Sequence, residues 1–269
     1  MRLAPSIPNH SPPISETNKP EKVCIEVHKL SLQLSGKPIL HDVSFTIPSL
    51  GITSLIGPSG AGKSSLLRCL NRLYDDWKGN ISMNNTPIKK WHGGADVLRQ
   101  FVGLIAQKPS VFPVSIAENV TFGLPRQQRQ QNQDELIQSC LKQAALWNEV
   151  KDRLHTPANT LSLGQQQRLC LARALALKPA ILLLDEPTSS LDPLSKELIE
   201  CSITKLAISM PIICVTHDLD QAARLQGQVV FMCDGKVIET GESHAFFTQP
   251  KRIETREFLR WSVCECAED

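Results

Sequence analysis

The run Gly57-Pro58-Ser59-Gly60-Ala61-Gly62-Lys63-Ser64 limits the possible folds of this chain more than any other stretch. It follows the pattern GxxxxGK[ST], with an apolar strand expected just before it (residues 53–56) and a helix just after (residues 63–73). A strand, a glycine turn and a helix in that order can wrap backbone N–H groups around a phosphate, because glycine has no Cβ to obstruct the curl. The helix N-terminus adds partial positive charge. In such a cradle Lys63 reaches the β- and γ-phosphates of a nucleotide and the Ser64 hydroxyl ligates Mg²⁺. Ser65 completes the expected nucleotide-binding set. A plain glycine-rich turn is the competing reading, and the flanking strand and helix argue against it.

A second motif supports the first. Ile181-Leu182-Leu183-Leu184 is short enough for a buried parallel strand, and it runs into Asp185 and Glu186. Acids at the C-terminal end of such a strand lie where open α/β sheets bind ligands. Asp185 would hold Mg²⁺ and Glu186 would polarise the attacking water as general base. On their own the two acids could be solvated loop residues; the upstream loop weighs against that. A third motif, Leu161-Ser162-Leu163-Gly164-Gln165, opens a helix expected over residues 164–177 and offers a second anion site. Sheet and helix separate it from the phosphate loop, so a second copy of the chain is the economical source of the missing half of each site.

Further strands are expected at residues 24–34, 42–48, 101–105 and 211–216, with hairpins at 81–88 around Asn84-Asn85 and at 229–239 around Asp234-Gly235. The region from Pro109 to Asn159 reads as helical and separate from the sheet. It includes a glutamine-rich stretch, residues 126–134, expected to be exposed. Strands alternating with helices imply an α/β core with a mostly parallel sheet.

Composition narrows the function. The net charge is only +2, which argues against a protein that neutralises a nucleic-acid backbone. Aromatic residues are 5% of the chain, with Tyr74 the one tyrosine, so a stacking platform for single strands is not expected. No apolar run reaches the roughly 18 residues of a spanning helix. Residues 1–22, rich in Pro, Ser and Asn, read as a disordered tail rather than a secretory signal. The nine cysteines are scattered, lack a CxxC pair and fit a reducing cytoplasm; Cys264 and Cys266 are too few for a zinc site.

Taken together, these residues resemble the ATP-binding cassette ATPases, over nearly the whole chain from Cys24. Five motifs occur in that family's order: the phosphate loop, Gln107 after a strand, the Leu161–Gln165 signature, Asp185-Glu186, and His217 after Val215-Thr216. Ser190-Leu191-Asp192 is similar to the family's loop linking two sites across a dimer. The resemblance implies a P-loop NTPase core with an N-terminal antiparallel β region and an inserted helical subdomain. It places one ATPase domain at residues 23–259, with the core at 23–108 and 165–259, the helical subdomain at about 109–164, and a solvated tail at 260–269. It implies that Gln107 senses Mg²⁺ and the γ-phosphate, that Ser64, Gln107 and Asp185 form the Mg²⁺ site, and that His217 contacts the γ-phosphate and orients the water. The signature would act in trans, in a head-to-tail homodimer burying two ATP molecules.

Some stretches are more particular. Gln107-Lys108-Pro109-Ser110-Val111-Phe112-Pro113-Val114-Ser115-Ile116-Ala117-Glu118-Asn119-Val120, the segment Leu146 to Leu154, QQQRLCLAR from Gln165, and Gln221-Ala222-Ala223-Arg224 resemble the bacterial phosphate-import ATPases. That resemblance implies a peripheral subunit on the cytoplasmic face of the inner membrane. Its partners would be two permease chains, a periplasmic phosphate-binding protein and no nucleic acid. Two departures stand out. Ser35 occupies the position where the family commonly stacks an aromatic on adenine, and Leu163 replaces the first glycine of the signature pair, where strained backbone would be the objection. An importer for another solute, a soluble ATPase of DNA repair or translation, and a non-hydrolysing module remain as rivals. The single cassette weighs against the second, and Lys63, Asp185 and Glu186 weigh against the third.

Overall fold

The computed structural model describes residues 24–125 and 133–261. The tail expected at 1–22, most of the glutamine-rich stretch and residues 262–269 lie outside them.

The N-terminal part is antiparallel. Strand β1 (Ile25–Leu34) turns through Ser35 and Gly36 into β2 (Lys37–Ile47), burying Ile25, Val27, Leu30 and Leu32. Strand β3 (Gly51–Ile56) leads through the glycine loop into α1 (Lys63–Leu70). That helix stops three residues short of the expected Leu73: Asn71 caps it and Arg72 turns left-handed at φ 56°. Asp75 holds Arg72 there, accepting from Nε at 2.9 Å and from a terminal nitrogen at 2.6 Å. Strands β4 (Trp77–Met83) and β5 (Thr86–Pro87) form the expected hairpin, with Asn84 and Asn85 at φ 48° and 62° as the tight two-residue turn requires.

Helix α2 (Gly94–Phe101) takes Phe101, which was expected to open a strand, and β6 (Val102–Ile105) follows it. Next come α3 (Ile116–Thr121), α4 (Gln133–Gln143), α5 (Trp147–Val150) and the long α6 (Leu163–Ala176). The remaining elements are β7 (Ile181–Asp185), α7 (Pro193–Ala207), β8 (Pro211–Val215), α8 (Leu219–Leu225), β9 (Gln228–Cys233), β10 (Lys236–Glu242), α9 (Ser243–Thr248) and α10 (Ile253–Trp261). The terminal helix runs to Trp261, so the expected tail starts inside it.

One sheet has the order β2-β1-β4-β5 and is antiparallel; the other has the order β10-β9-β3-β8-β7-β6. In the second, β9, β3, β8, β7 and β6 run parallel, and β10 closes one edge antiparallel. The fold is therefore the expected mixed α/β architecture. Period-two geometry, with both faces covered, accounts for the unbroken apolar runs at residues 181–184 on β7 and 211–215 on β8. Ile181 and Leu183 on β7, with Ile213 and Val215 on β8, pack into the core shared with the antiparallel sheet and α1. Leu182, Leu184, Ile212 and Cys214 face the other way, against α6, α7 and the helical region. A smaller core forms where β9 meets α8 and the C-terminal helices. Among the described residues no helix is long and apolar enough to cross a membrane.

Candidate active site

The glycine loop is shaped by backbone crowding. Gly57 leaves β3 at φ 144°, and a Cβ there would lie 2.0 Å from the Met232 carbonyl oxygen on β9. Gly62 starts α1 at φ 92° with no side-chain cap, and a Cβ there would meet Leu40 and the Ile39 carbonyl. The first N–H groups of α1 thus carry no capping side chain. Lys63 is 6% exposed and folds back on the loop, its Nζ donating to the carbonyls of Gly57 at 2.6 Å and Pro58 at 2.7 Å. Burial pushes its ammonium pKa below the ordinary lysine value, with Glu186 and Asp185 acting in the opposite sense.

The acids stand where the parallel strands end. Asp185, the last residue of β7, is buried and accepts a hydrogen bond from Ser64 Oγ at 2.7 Å. Arg68 of α1 lies 3.8 Å from its other oxygen. Glu186 turns left-handed at φ 48°, its N–H bonded to the Val215 carbonyl at the end of β8. Its carboxylate gathers two other expected residues. Gln107, just beyond β6, donates Nε2 to Glu186 Oε2 at 2.9 Å, and His217 Nδ1 lies 3.1 Å from the same oxygen. Side chains from three neighbouring strand ends meet on one carboxylate because the β6–β7–β8 register is in step.

A hydroxyl and a carboxylate already share one point at Ser64 and Asp185, both hard oxygen donors. Among the described residues no group of three or more His, Cys, Asp or Glu could hold a metal alone. Two oxygen donors beside a phosphate cradle fit Mg²⁺, which usually takes one or two carboxylates with phosphates and water. Gln107, also expected at the metal, donates to Glu186 and to Ser189 Oγ at 3.3 Å.

The signature forms a different kind of helix start. Ser162 caps α6 with a reciprocal box: its Oγ accepts from Gln165 N at 3.3 Å, and Gln165 Oε1 accepts from Ser162 N at 3.0 Å. The box explains why α6 begins at Leu163, one residue earlier than expected. Leu163 takes helical backbone without left-handed strain and is 45% exposed. Gly164 packs so closely on α7 that a Cβ would lie 2.3 Å from Ser195 Oγ. Gln165 Nε2 reaches Glu149 on α5 at 2.8 Å, and buried Arg168 bonds the same carboxylate. Burial opposes the charged form of Glu149, but the bonds from Arg168 and Gln165 prevail and hold its pKa below the usual carboxylate range. Leu161 is buried just ahead of the box. The hydrogen bonds of this segment go to α5 and to its own helix, away from the glycine loop. In the neighbouring loop Ser190 is exposed, Leu191 is half-buried, and Asp192 caps α7 by accepting from Ser195 N at 3.0 Å.

Two contributors were not singled out in the sequence. Ser189 touches Gln107 and closes the turn after Glu186; Glu149 anchors the signature helix. Ser189 carries no signal of its own, whereas Glu149 lies inside a stretch already marked as family-like. Ser35 is exposed at the tip of the β1–β2 hairpin, at φ 50°. Beside Gln107, a cavity of about 330 Å³ opens between β6 and α6. Phe112 and Phe122 stack at its rim with centroids 3.8 Å apart, and Arg173 lies over Phe112.

A model of the ABC transporter family matches residues 40–189. A phosphate import ATP-binding protein PstB 1 from Yersinia pestis is 43% identical over 246 residues, covering 89% of this chain and 91% of that relative. A phosphate import ATP-binding protein PstB from Colwellia psychrerythraea is 42% identical over 247 residues, covering 89% and 88%. A PstB 1 protein from Vibrio parahaemolyticus is 42% identical over 260 residues, covering 93% and 95%. Among solved structures, an ATP-bound bacterial Atm1-family ABC exporter superposes with TM-score 0.79 at 25% identity, spanning 91% of this chain and 43% of the exporter chain.

Proposed function

The chain belongs to the ABC transporter family as an ATP-hydrolysing, ATP-binding subunit, and we propose that it drives import of inorganic phosphate across the inner membrane. The observation that carries this reading is the 42–43% identity to phosphate import ATP-binding proteins along nearly the full length of both partners. The overall reaction is ATP, water and external phosphate giving ADP, phosphate and internal phosphate.

At the site, Lys63 exchanges the carbonyls of Gly57 and Pro58 for the β- and γ-phosphate oxygens of ATP, while the uncapped start of α1 offers its N–H groups to the same phosphates. Ser64 and Asp185 would hold Mg²⁺, which supplies charge neutralisation on the phosphates. Glu186 takes the proton of the attacking water as it adds to the γ-phosphorus and the bond to the β,γ-bridging oxygen breaks, so that ADP leaves. Gln107 and His217, both on Glu186 Oε2, orient that carboxylate and the water. Gln107, bonded to Glu186 and set in the chain between the cavity-lining residues Ala106 and Lys108, links hydrolysis to a permease subunit docked there.

The second half-site comes from a second copy. Ser162 to Gln165 of one chain close over the phosphates held by residues 57–65 of the other, with Ser190-Leu191-Asp192 between the two sites. Exposure of Leu163 (45%) and Leu194 (65%) beside this helix pair supports a covered face in the assembled dimer. The complex comprises two such subunits on the cytoplasmic membrane face, two permease chains and a periplasmic binding protein. The helices between residues 109 and 164 form the subdomain facing the permease. Deleting the gene in a strain without a paralogue tests the cargo: high-affinity phosphate uptake should be lost, and intact uptake with loss of another solute's transport would overturn it.

A further inference from the structure

We propose that Gln221 is a positioning residue for hydrolysis: its buried amide ties the loop carrying Glu186 to the loop carrying His217 and so sets how those two groups meet. This rests on the reading of Glu186 and His217 as the pair that handles the attacking water.

Gln221 lies in the first turn of α8, just after His217, and is 1% exposed. Its backbone N–H is bound by the capping carboxylate of Asp218 at 2.9 Å, so its main chain follows the His217 loop. Its Nε2 makes two donations. One goes to Thr188 Oγ1 at 2.7 Å, the other to Glu200 Oε1 at 3.0 Å. Thr188 is buried within the turn after Glu186, which Ser189 closes through its N and Oγ on the Glu186 carbonyl at 3.3 and 3.2 Å. Glu200, on α7, is also held by Arg224, three residues further along α8, whose Nε donates to Oε2 at 3.1 Å and whose terminal nitrogen donates to Oε1 at 2.9 Å. One amide therefore joins three elements: the turn after β7, α7 and the start of α8.

The other end of the amide shows what the residue adds. Gln221 Oε1 is buried and has no hydrogen-bond partner among the described residues. A buried carbonyl left unpaired costs stability, so removing it with an apolar side chain of similar volume offsets part of the loss of the two donations. What methionine could not supply is the bridge from Nε2. A residue present only for packing would thus tolerate Gln221→Met with turnover intact, whereas a positioning residue would not.

The test uses the full chain, measuring ATP turnover and thermal unfolding for Gln221→Met, Thr188→Val and the double variant. Each single change should lower kcat about tenfold and leave KM for ATP within about twofold, and the double variant should be no slower than the slower single. The melting temperature of Gln221→Met should fall by less than about 10 °C, and turnover is compared at a temperature where both chains stay folded. Thr188→Val replaces the accepting hydroxyl with a methyl group at nearly the same shape, so it remains informative if Gln221→Met folds poorly. Parent-like kcat in either single variant overturns the proposal, as does a loss of kcat that follows the melting temperature and adds across the two sites. The parent and Lys63→Ala serve as controls. A parent with no Lys63-dependent turnover would sink the ATPase reading and this proposal together; an active parent with an equally active Gln221→Met sinks only this one.

Discussion

Two helices of this molecule were expected to begin at anion sites, and they begin in opposite ways. Helix α1 starts at Gly62 with no side-chain cap, in a crowded loop whose lysine is buried on its own carbonyls. Helix α6 starts at Ser162 with a complete capping box and an exposed Leu163. An uncapped start leaves backbone donors for a ligand, so the free energy of satisfying them goes into binding phosphate. A capped start has spent two of its groups on itself and is stable without a ligand. The contrast suits a site that grips nucleotide within one chain and a surface that closes on it from another.

The largest expected effect tests the chemistry assigned to the first site. Glu186→Gln should cut steady-state ATP turnover by about 10²–10⁴-fold while the chain still binds ATP. Unchanged turnover would remove Glu186 as general base. Next, the glycine loop ahead of α1 and the first turn of α6 should differ in tolerance for a methyl group. Gly57→Ala meets a backbone oxygen at 2.0 Å and a left-handed φ, whereas Gly164→Ala meets the Ser195 side chain at 2.3 Å. Thermal unfolding should show a loss of about 2–5 kcal/mol for the first and about 1–3 kcal/mol for the second. The reverse order would mean that α6, not the glycine loop, is the more tightly constrained start.

A third change adds to the first site. Ser35→Tyr supplies a ring at the hairpin tip and should tighten ATP by about 1–3 kcal/mol in a binding titration. An unchanged dissociation constant would mean that another group already covers the adenine. The smallest effect belongs to the second site. Ser162→Ala removes the cap and should cost about 1 kcal/mol of stability, leaving ATP affinity of the separate chain unaltered. If that affinity fell as well, the signature would be acting within its own chain.

Local features of this chain were readable where neighbouring residues decide the outcome. The hairpin at Asn84-Asn85 and the one at Asp234-Gly235 appear as expected, because left-handed turns favour those residue types. The burial of β7 and β8 on both faces appears because unbroken apolar runs suit strands covered from both sides. Helix ends were less legible: α1 stops early because Asp75 captures Arg72, and α6 starts early because Gln165 reaches back to Ser162. Within the site, the glycine loop, Asp185 and Glu186 are legible from pattern alone. Ser189 and Glu149 are not, since each matters through a partner distant along the chain.

By itself the sequence determined the strand–glycine loop–helix unit, the acid pair at a strand end and the order of the five motifs. Each of these follows from backbone sterics and side-chain periodicity over a few residues. Only the tertiary structure decided that Gln107 and His217 share one oxygen of Glu186, and that Ser64 meets Asp185 across 121 positions of chain. The physical reason is the parallel sheet: stacking β6, β7 and β8 in step brings their C-terminal ends to one edge, and distant residues become neighbours there.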